Sequence, residues 1–175
     1  MRQSRDTRLF FALWPDEDVR DRISRHLENI ALETGRPVPR YNWHLTLHFI
    51  GNTTLAEKTC LRQQAGMVKA GRFQLTLDQA GFFKGPKVFW LGCRERPGAL
   101  LDLHGKLGGY LRRCDYQPER RPFSPHVTVA RKVAVAPEAV GMDAIDWSVE
   151  RFVLVESVSV AEGVRYEVID SYALD

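Results

Sequence analysis

Cysteine is scarce in this chain of 175 residues. Cys60, Cys93 and Cys114 are odd in number, and no two of them stand in a C-x-x-C pair. That pattern suggests neither a disulfide framework nor a zinc ribbon, and a reducing cytoplasm fits it best. Long apolar runs are missing too: none approaches the roughly 20 residues of a membrane span, so no membrane contact is expected. The opening arginines and apolar residues give way to Pro15-Asp16-Glu17-Asp18 without a small-residue cleavage site. Residues 1–14 are therefore expected to hold a first strand rather than a signal peptide. No low-complexity linker divides the chain, and residues 1–175 are expected to form one domain, as a monomer. A net charge of +3 says little about partners.

What is present is an ordinary globular balance, and a chain of this length buries about 70% of its unfolded surface, so it needs no staples. Of the 25 basic residues 19 are Arg, whose planar fork suits phosphate, although codon bias explains such a count equally well. Arg112, Arg113, Arg120, Arg121, Arg131 and Lys132 crowd one region, which favours an anionic partner over a merely solvated surface only modestly.

The apolar spacing predicts strands at residues 8–14, 43–50, 73–77, 88–92 and 126–131, and a terminal hairpin of 151–160 and 165–174 across Glu162-Gly163. Helices are expected from Asp16 to about residue 34, stopped by Gly35, from Leu55 to about residue 70, and from Pro97 through Leu111. Hairpins imply antiparallel pairing, so the fold class is α+β. Each half holds a strand, a helix that begins near a proline (Pro15, Pro97) and a His-x-Thr strand. This loose repeat predicts two pseudo-symmetric lobes packed as one unit.

The His-x-Thr strands, His44-Leu45-Thr46-Leu47 and His126-Val127-Thr128-Val129, carry the chemistry. Residues i and i+2 of a strand share a face. Each strand thus has an apolar side for the core and a side bearing one imidazole and one hydroxyl. A single copy is weak, since an ordinary strand histidine is the commoner reading. Chance supplies only about 0.2 such triplets in this composition, so two copies with matching apolar positions are informative. Cleavage of a phosphodiester through a cyclic intermediate needs one proton removed and one delivered. Two imidazoles can do both near neutral pH, each contributing roughly 10²–10⁴-fold in rate. Thr46 and Thr128 are placed to donate hydrogen bonds to phosphate oxygens.

At these residues the sequence resembles the 2H phosphoesterases, and within them the bacterial RNA 2′,3′-cyclic phosphodiesterases, also called 2′-5′ RNA ligases. The likeness extends to residues 8–13, to the block 42–51 around His44, to Val88-Phe89-Trp90-Leu91-Gly92, and to the block 121–131 around His126. The resemblance implies two lobes of antiparallel sheet, helices outside, and an active-site cleft between the lobes. It implies His44 as proton donor, His126 as proton acceptor, and Thr46 and Thr128 as phosphate holders. Arg131 matches a basic position of the second block, although strict alternation sets it on the face opposite His126. The expected substrate is RNA ending in a 2′,3′-cyclic phosphate, hydrolysed to a 2′-phosphate, with reversible 2′-5′ ligation to a 5′-hydroxyl strand as a second reaction of the same pair. A small cyclic nucleotide or a 2′-5′ oligonucleotide as substrate, and a non-catalytic nucleotide-binding module, are the alternatives.

Other candidates carry less. In a regular strand His48 shares a face with His44 and Thr46. On that strand i and i+4 stand roughly 13 Å apart, too far for one ion, and neither a metal nor another cofactor is expected. His26 and His104 read as helix-packing residues. Phe10, Phe11, Trp43 and Trp90 flank the cleft strands, where aromatic side chains are more often core than stacking platforms.

Overall fold

A computed structural model describes residues 7–138 and 141–175. Strand β1 (Thr7–Leu13) is apolar from Leu9 onward because both its faces are covered there: residues Leu9 to Leu13 are all buried. Asp16 then caps α1 (Glu17–Glu28) by accepting from the Val19 N–H at 2.9 Å. The helix ends at Asn29, well before Gly35. Gly35 instead sits at φ +93 just before the short strand β2 (Arg36–Pro37), where a Cβ would stand 2.7 Å from the Arg131 carbonyl oxygen. The glycine serves close backbone approach, not helix termination.

Strand β3 (Leu45–Thr53) starts one residue after His44 and runs on past residue 50: Gly51 and Asn52 pair with Leu9 and Arg8 of β1, and Ile50 is left over as an irregularity. A Thr54–Glu57 capping box opens α2 (Leu55–Gly66). Strands β4 (Phe73–Leu77), β5 (Gln79–Phe83) and β6 (Val88–Gly92) lead to α3 (Gly98–Leu111), which follows Pro97 as expected. Then come β7 (His126–Arg131), β8 (Ile145–Val149) and the terminal hairpin of β9 (Arg151–Val160) and β10 (Gly163–Ala173). The sequence pattern missed β2, β5 and β8.

Among the described residues the main sheet runs β10-β9-β1-β3-β7-β6-β5, with β2 beside β7, while β4 and β8 pair separately. Every pairing is antiparallel. The repeat is visible as β1-α1-β3 in one half and β6-α3-β7 in the other. Leu9, Phe11, Leu45, Leu47, Val127 and Val129 form one face and share a core with Ile23 of α1, Leu61 of α2 and Leu103 and Leu107 of α3. The other face carries a smaller cluster of Phe10, Ala12, Val153 and Val155, with Trp14 and Tyr166 against it. The cleft opens on this second face.

One expectation fails outright. Cys60 and Cys114 form a disulfide, with Cα atoms 5.8 Å apart, and Cys93 remains free. The bond ties α2 to the short turn Arg112–Cys114 that ends α3. Their separation of 54 residues shows no spacing motif. Only the packing of the two helices brings them together.

Candidate active site

The two His-x-Thr segments meet at the seam between β3 and β7. There Leu45 faces Val127 as an antiparallel register pair. Continuing that register by one residue each way sets His44 opposite Thr128 and Thr46 opposite His126. Each imidazole therefore stands across from the other segment's hydroxyl, on the face away from the helices. All four side chains line one cleft of about 810 Å³, together with Arg131.

The imidazoles are tethered alike. A carbonyl can only accept, so the 2.7 Å contact of His44 Nδ1 with the Asn42 carbonyl requires a proton on Nδ1. The same holds for His126 Nδ1 and the Ser124 carbonyl at 2.7 Å. Both rings thus turn Nε2 toward the cleft, unprotonated in the neutral form. His44 Nε2 accepts from the Thr46 hydroxyl at 3.0 Å. His44 is packed by Phe10 at 4.7 Å, Tyr166 at 5.1 Å and Trp14 at 6.0 Å between ring centroids. Phe83 and Trp90 flank His126 at 5.1 and 6.1 Å.

This enclosure governs the acid–base chemistry. Burial lowers His44 to about 4 against the support of the Asn42 carbonyl, and the charge of Arg131, then His126 and Arg20, lowers it further. Burial also lowers His126, opposed by its bond to Ser124 and reinforced by Arg131. In an empty cleft near pH 7 both rings are neutral. His126 is ready to accept a proton, whereas His44 must gain one before it can donate.

Arg131 reaches the cleft because β7 bulges. Trp90 pairs with Thr128 and Phe89 with Ala130, leaving Val129 as the extra residue. Arg131 thereby returns to the face of Thr128. β3 bulges at the matching place: Ala12 pairs with Thr46 and Phe11 with His48, leaving Leu47 over. Here the bulge has the opposite result for the expected residue. His48 turns away from His44 into the helix layer and is buried. Its Nε2–H donates to the His104 carbonyl at 2.8 Å and its Nδ1 accepts from Tyr116 Oη at 3.2 Å. The expectation that His48 shares the catalytic face is thus corrected.

His104 of α3 packs between His48 and Phe123, at 4.2 and 3.9 Å, as a helix-packing residue. Phe11 and Trp43 belong to the core. Of the crowded basic residues, Arg121 and Arg131 line the cleft, and Arg112, Arg113 and Arg120 do not. Among the described residues no three His, Cys, Asp or Glu side chains are grouped to hold a metal ion, and no helix is long and apolar enough to cross a membrane.

Three supporting residues escaped the sequence reading. Asn42 is buried; its Nδ2 donates to the Val164 carbonyl at 2.8 Å and its Oδ1 accepts from the Tyr166 N–H at 3.0 Å. It ties the outer strand β10 to the residue whose carbonyl holds His44. Tyr166 itself comes from that strand. Arg20, also buried, donates to the carbonyls of Pro15, Arg40 and Trp43, and its guanidinium lies over Trp14. No local motif marks these residues. Asn42 stands beside the first motif, but its partners lie more than 120 residues away.

Residues 10–161 match the family described as the 2′-5′ RNA ligase superfamily. The chain is 35% identical over 174 residues to the RNA 2′,3′-cyclic phosphodiesterase of Escherichia coli, covering 98% of each. It is 30% identical to the protein of that name from Thermus thermophilus, covering 95% of this chain and 90% of the relative. Among solved structures, E. coli LigT complexed with 3′-AMP superposes with a TM-score of 0.85 at 33% identity, covering 97% of this chain and 98% of the other.

Proposed function

The chain belongs to the 2′-5′ RNA ligase superfamily, and on that premise we propose that its cleft hydrolyses RNA 2′,3′-cyclic phosphate ends to 2′-phosphomonoesters by two-histidine acid–base catalysis without a metal. The observation that carries this reading is the Leu45–Val127 register pair at the seam, whose continuation sets His44 opposite Thr128 and Thr46 opposite His126, with all four side chains lining one cleft. A phosphorus held between the segments has an imidazole on either side and a hydroxyl donor beside each. The naming of the E. coli and T. thermophilus relatives as RNA 2′,3′-cyclic phosphodiesterases supports the substrate, as does the 3′-AMP complex of LigT.

In the proposed reaction the cyclic phosphate enters with its negative charge between Thr46, Thr128 and Arg131. That charge offsets Arg131 and favours protonation of His44 on Nε2. His126 Nε2 takes a proton from water as the water oxygen bonds to phosphorus. The bond from phosphorus to O3′ breaks on the opposite side, and His44 Nε2–H delivers its proton to that oxygen. The product carries the phosphate on O2′. With the 5′-hydroxyl of a second strand in place of water, that hydroxyl gives its proton to His126 as its oxygen bonds to phosphorus, the bond from phosphorus to O3′ breaks with protonation by His44, and a 2′-5′ linkage forms; cleavage of that linkage runs the same path backwards with the two roles exchanged.

The test is incubation of purified protein with an excess of chelator and an oligoribonucleotide ending in a 2′,3′-cyclic phosphate, followed by phosphorus NMR. A 2′-phosphomonoester formed at full rate is the expected result. No turnover, or turnover that the chelator abolishes, overturns the proposal.

A further inference from the structure

The Cys60–Cys114 bond stands at the head of the segment that delivers the second catalytic histidine. After Cys114 the chain turns at Asp115, which is left-handed at φ 60. Residues 115–125 then run without helix or strand to His126 at the start of β7. This strap walls the cleft: Tyr116, Glu119, Arg121, Phe123 and Ser124 all line it. Near its far end the Ser124 carbonyl accepts from His126 Nδ1–H at 2.7 Å. That bond fixes which ring nitrogen faces the cleft.

Between its ends the strap is held at few points. Tyr116 Oη donates to His48 Nδ1 at 3.2 Å, Phe123 stacks on His104 at 3.9 Å, and Arg96 donates to the Phe123 carbonyl at 2.8 Å. Tyr116 is two residues beyond Cys114, so its reach to His48 depends on where the bond sets Cys114. The bond pins the turn Arg112–Cys114 to α2. A long, exposed hydrogen bond from Arg113 to Gln64 at 3.5 Å is a weak second tie. His44, by contrast, is tethered by Asn42, which is held by Val164 and Tyr166 of β10 and touches no part of the strap.

Cys60 and Cys114 are both partly exposed, within reach of a small thiol or a redox protein. Resting on the phosphodiesterase reading of the cleft, we propose that Cys60–Cys114 is a thiol–disulfide exchange site for a dithiol, and that its oxidation state sets the activity of His126 through the strap. One thiolate of the dithiol attacks one of the two sulfurs. The S–S bond breaks, and the other cysteine leaves as a thiolate and takes up a proton. The second thiol then closes on its neighbour in the mixed disulfide and expels the remaining cysteine. The dithiol ends as a disulfide, and its two electrons and two protons end on Cys60 and Cys114. The bonded form is the active one.

The experiment measures initial rates on a cyclic-phosphate oligonucleotide before and after treatment with dithiothreitol. Thiol titration of the denatured protein counts Cys93 alone in the first state and all three cysteines in the second. Reduction should lower kcat roughly 5- to 100-fold, as a misplaced catalytic group does, and should act on kcat more than on KM. Reoxidation should restore it. C60S and C114S should hold the reduced rate and ignore dithiothreitol. Nitrogen-15 NMR gives a readout independent of turnover: reduction should bring the Nε2–H tautomer into His126 while His44 keeps its proton on Nδ1. An unchanged kcat in an active protein, or an unchanged His126 spectrum, overturns the proposal. So does a change at both rings together with loss of the circular dichroism signal, which makes the bond a staple of the whole fold. If the bonded protein turns over no cyclic phosphate, the phosphodiesterase reading fails, while the His126 tautomer still decides whether the bond reaches the site.

Discussion

Leu45 and Val127 face each other across the seam of the sheet, and neither touches substrate. Their pairing nevertheless fixes the site, because the residues on either side of each are the ones that do the chemistry. From that register follows the expectation that both halves of the constellation matter alike. H44A and H126A should each lower kcat roughly 10²–10⁴-fold. T46A and T128A should each cost roughly 10- to 100-fold, as the loss of a hydrogen bond to a charged group does. Initial rates on a cyclic-phosphate oligonucleotide, with circular dichroism as the check on folding, measure this. Full activity in both histidine variants would sink the mechanism.

Arg131 acts on both imidazoles, and the sign of its effect is defined. Its charge lowers His44 and His126 in the empty cleft, so R131Q should raise the titration midpoints of both rings in nitrogen-15 NMR. At the same time phosphate binding should weaken, since the cleft loses its cation. A rise at only one ring would mean that Arg131 does not face the midpoint of the site.

Acidification should destabilise the protein. Burial holds His44 and His104 at about 4 and lowers His26, His48 and His126 from 6.5. Between pH 6.5 and about 4 the unfolded chain therefore binds more protons than the folded one, so stability rises with pH in that window. The contribution is complete above the unfolded value and is lost as pH falls toward the folded ones. Urea midpoints at pH 7 and pH 4.5 measure it, with the lower midpoint expected in acid. H104N should flatten the dependence.

Asn42 holds β10 against the segment that anchors His44. N42D keeps the size of the side chain but turns an oxygen, rather than an N–H, toward the Val164 carbonyl. The expected cost is about 1–3 kcal/mol of stability, read from denaturant unfolding. A fall in kcat should accompany it, because Tyr166 loses its place beside the imidazole. An unaltered kcat in a folded N42D protein would confine Asn42 to the architecture.

The Cys60–Cys114 bond closes a separation of 54 residues. On a chain-entropy account such a loop contributes roughly 4 kcal/mol. C60S should lower the unfolding midpoint accordingly, and thiol titration of the denatured, unreduced protein should find Cys93 alone.

The strands that carry the chemistry were legible in the sequence because side-chain alternation is a local rule. It set His44 with Thr46 and His126 with Thr128 without any knowledge of the sheet. It failed where the strands bulge, since one unpaired residue inverts every later position. For that single reason His48, which still borders the cleft, turns from the face of His44 toward the helices, and Arg131 comes onto the catalytic face. Asn42, Arg20 and Tyr166 were illegible for another reason. Their roles are defined by partners from distant strands or loops, and nothing in a local window records those meetings. Helix α1 was overextended because Leu27 and Ile30 keep the helical spacing across a chain that has already turned at Asn29.

The seam between β3 and β7 is one register pair wide, and its narrowness has a mechanical consequence. The imidazoles and hydroxyls flank that short line, and the core shared with the three helices lies behind it. A swing of the two halves about the line would change the spacing of the proton-transferring nitrogens less than the spacing of residues at the rim.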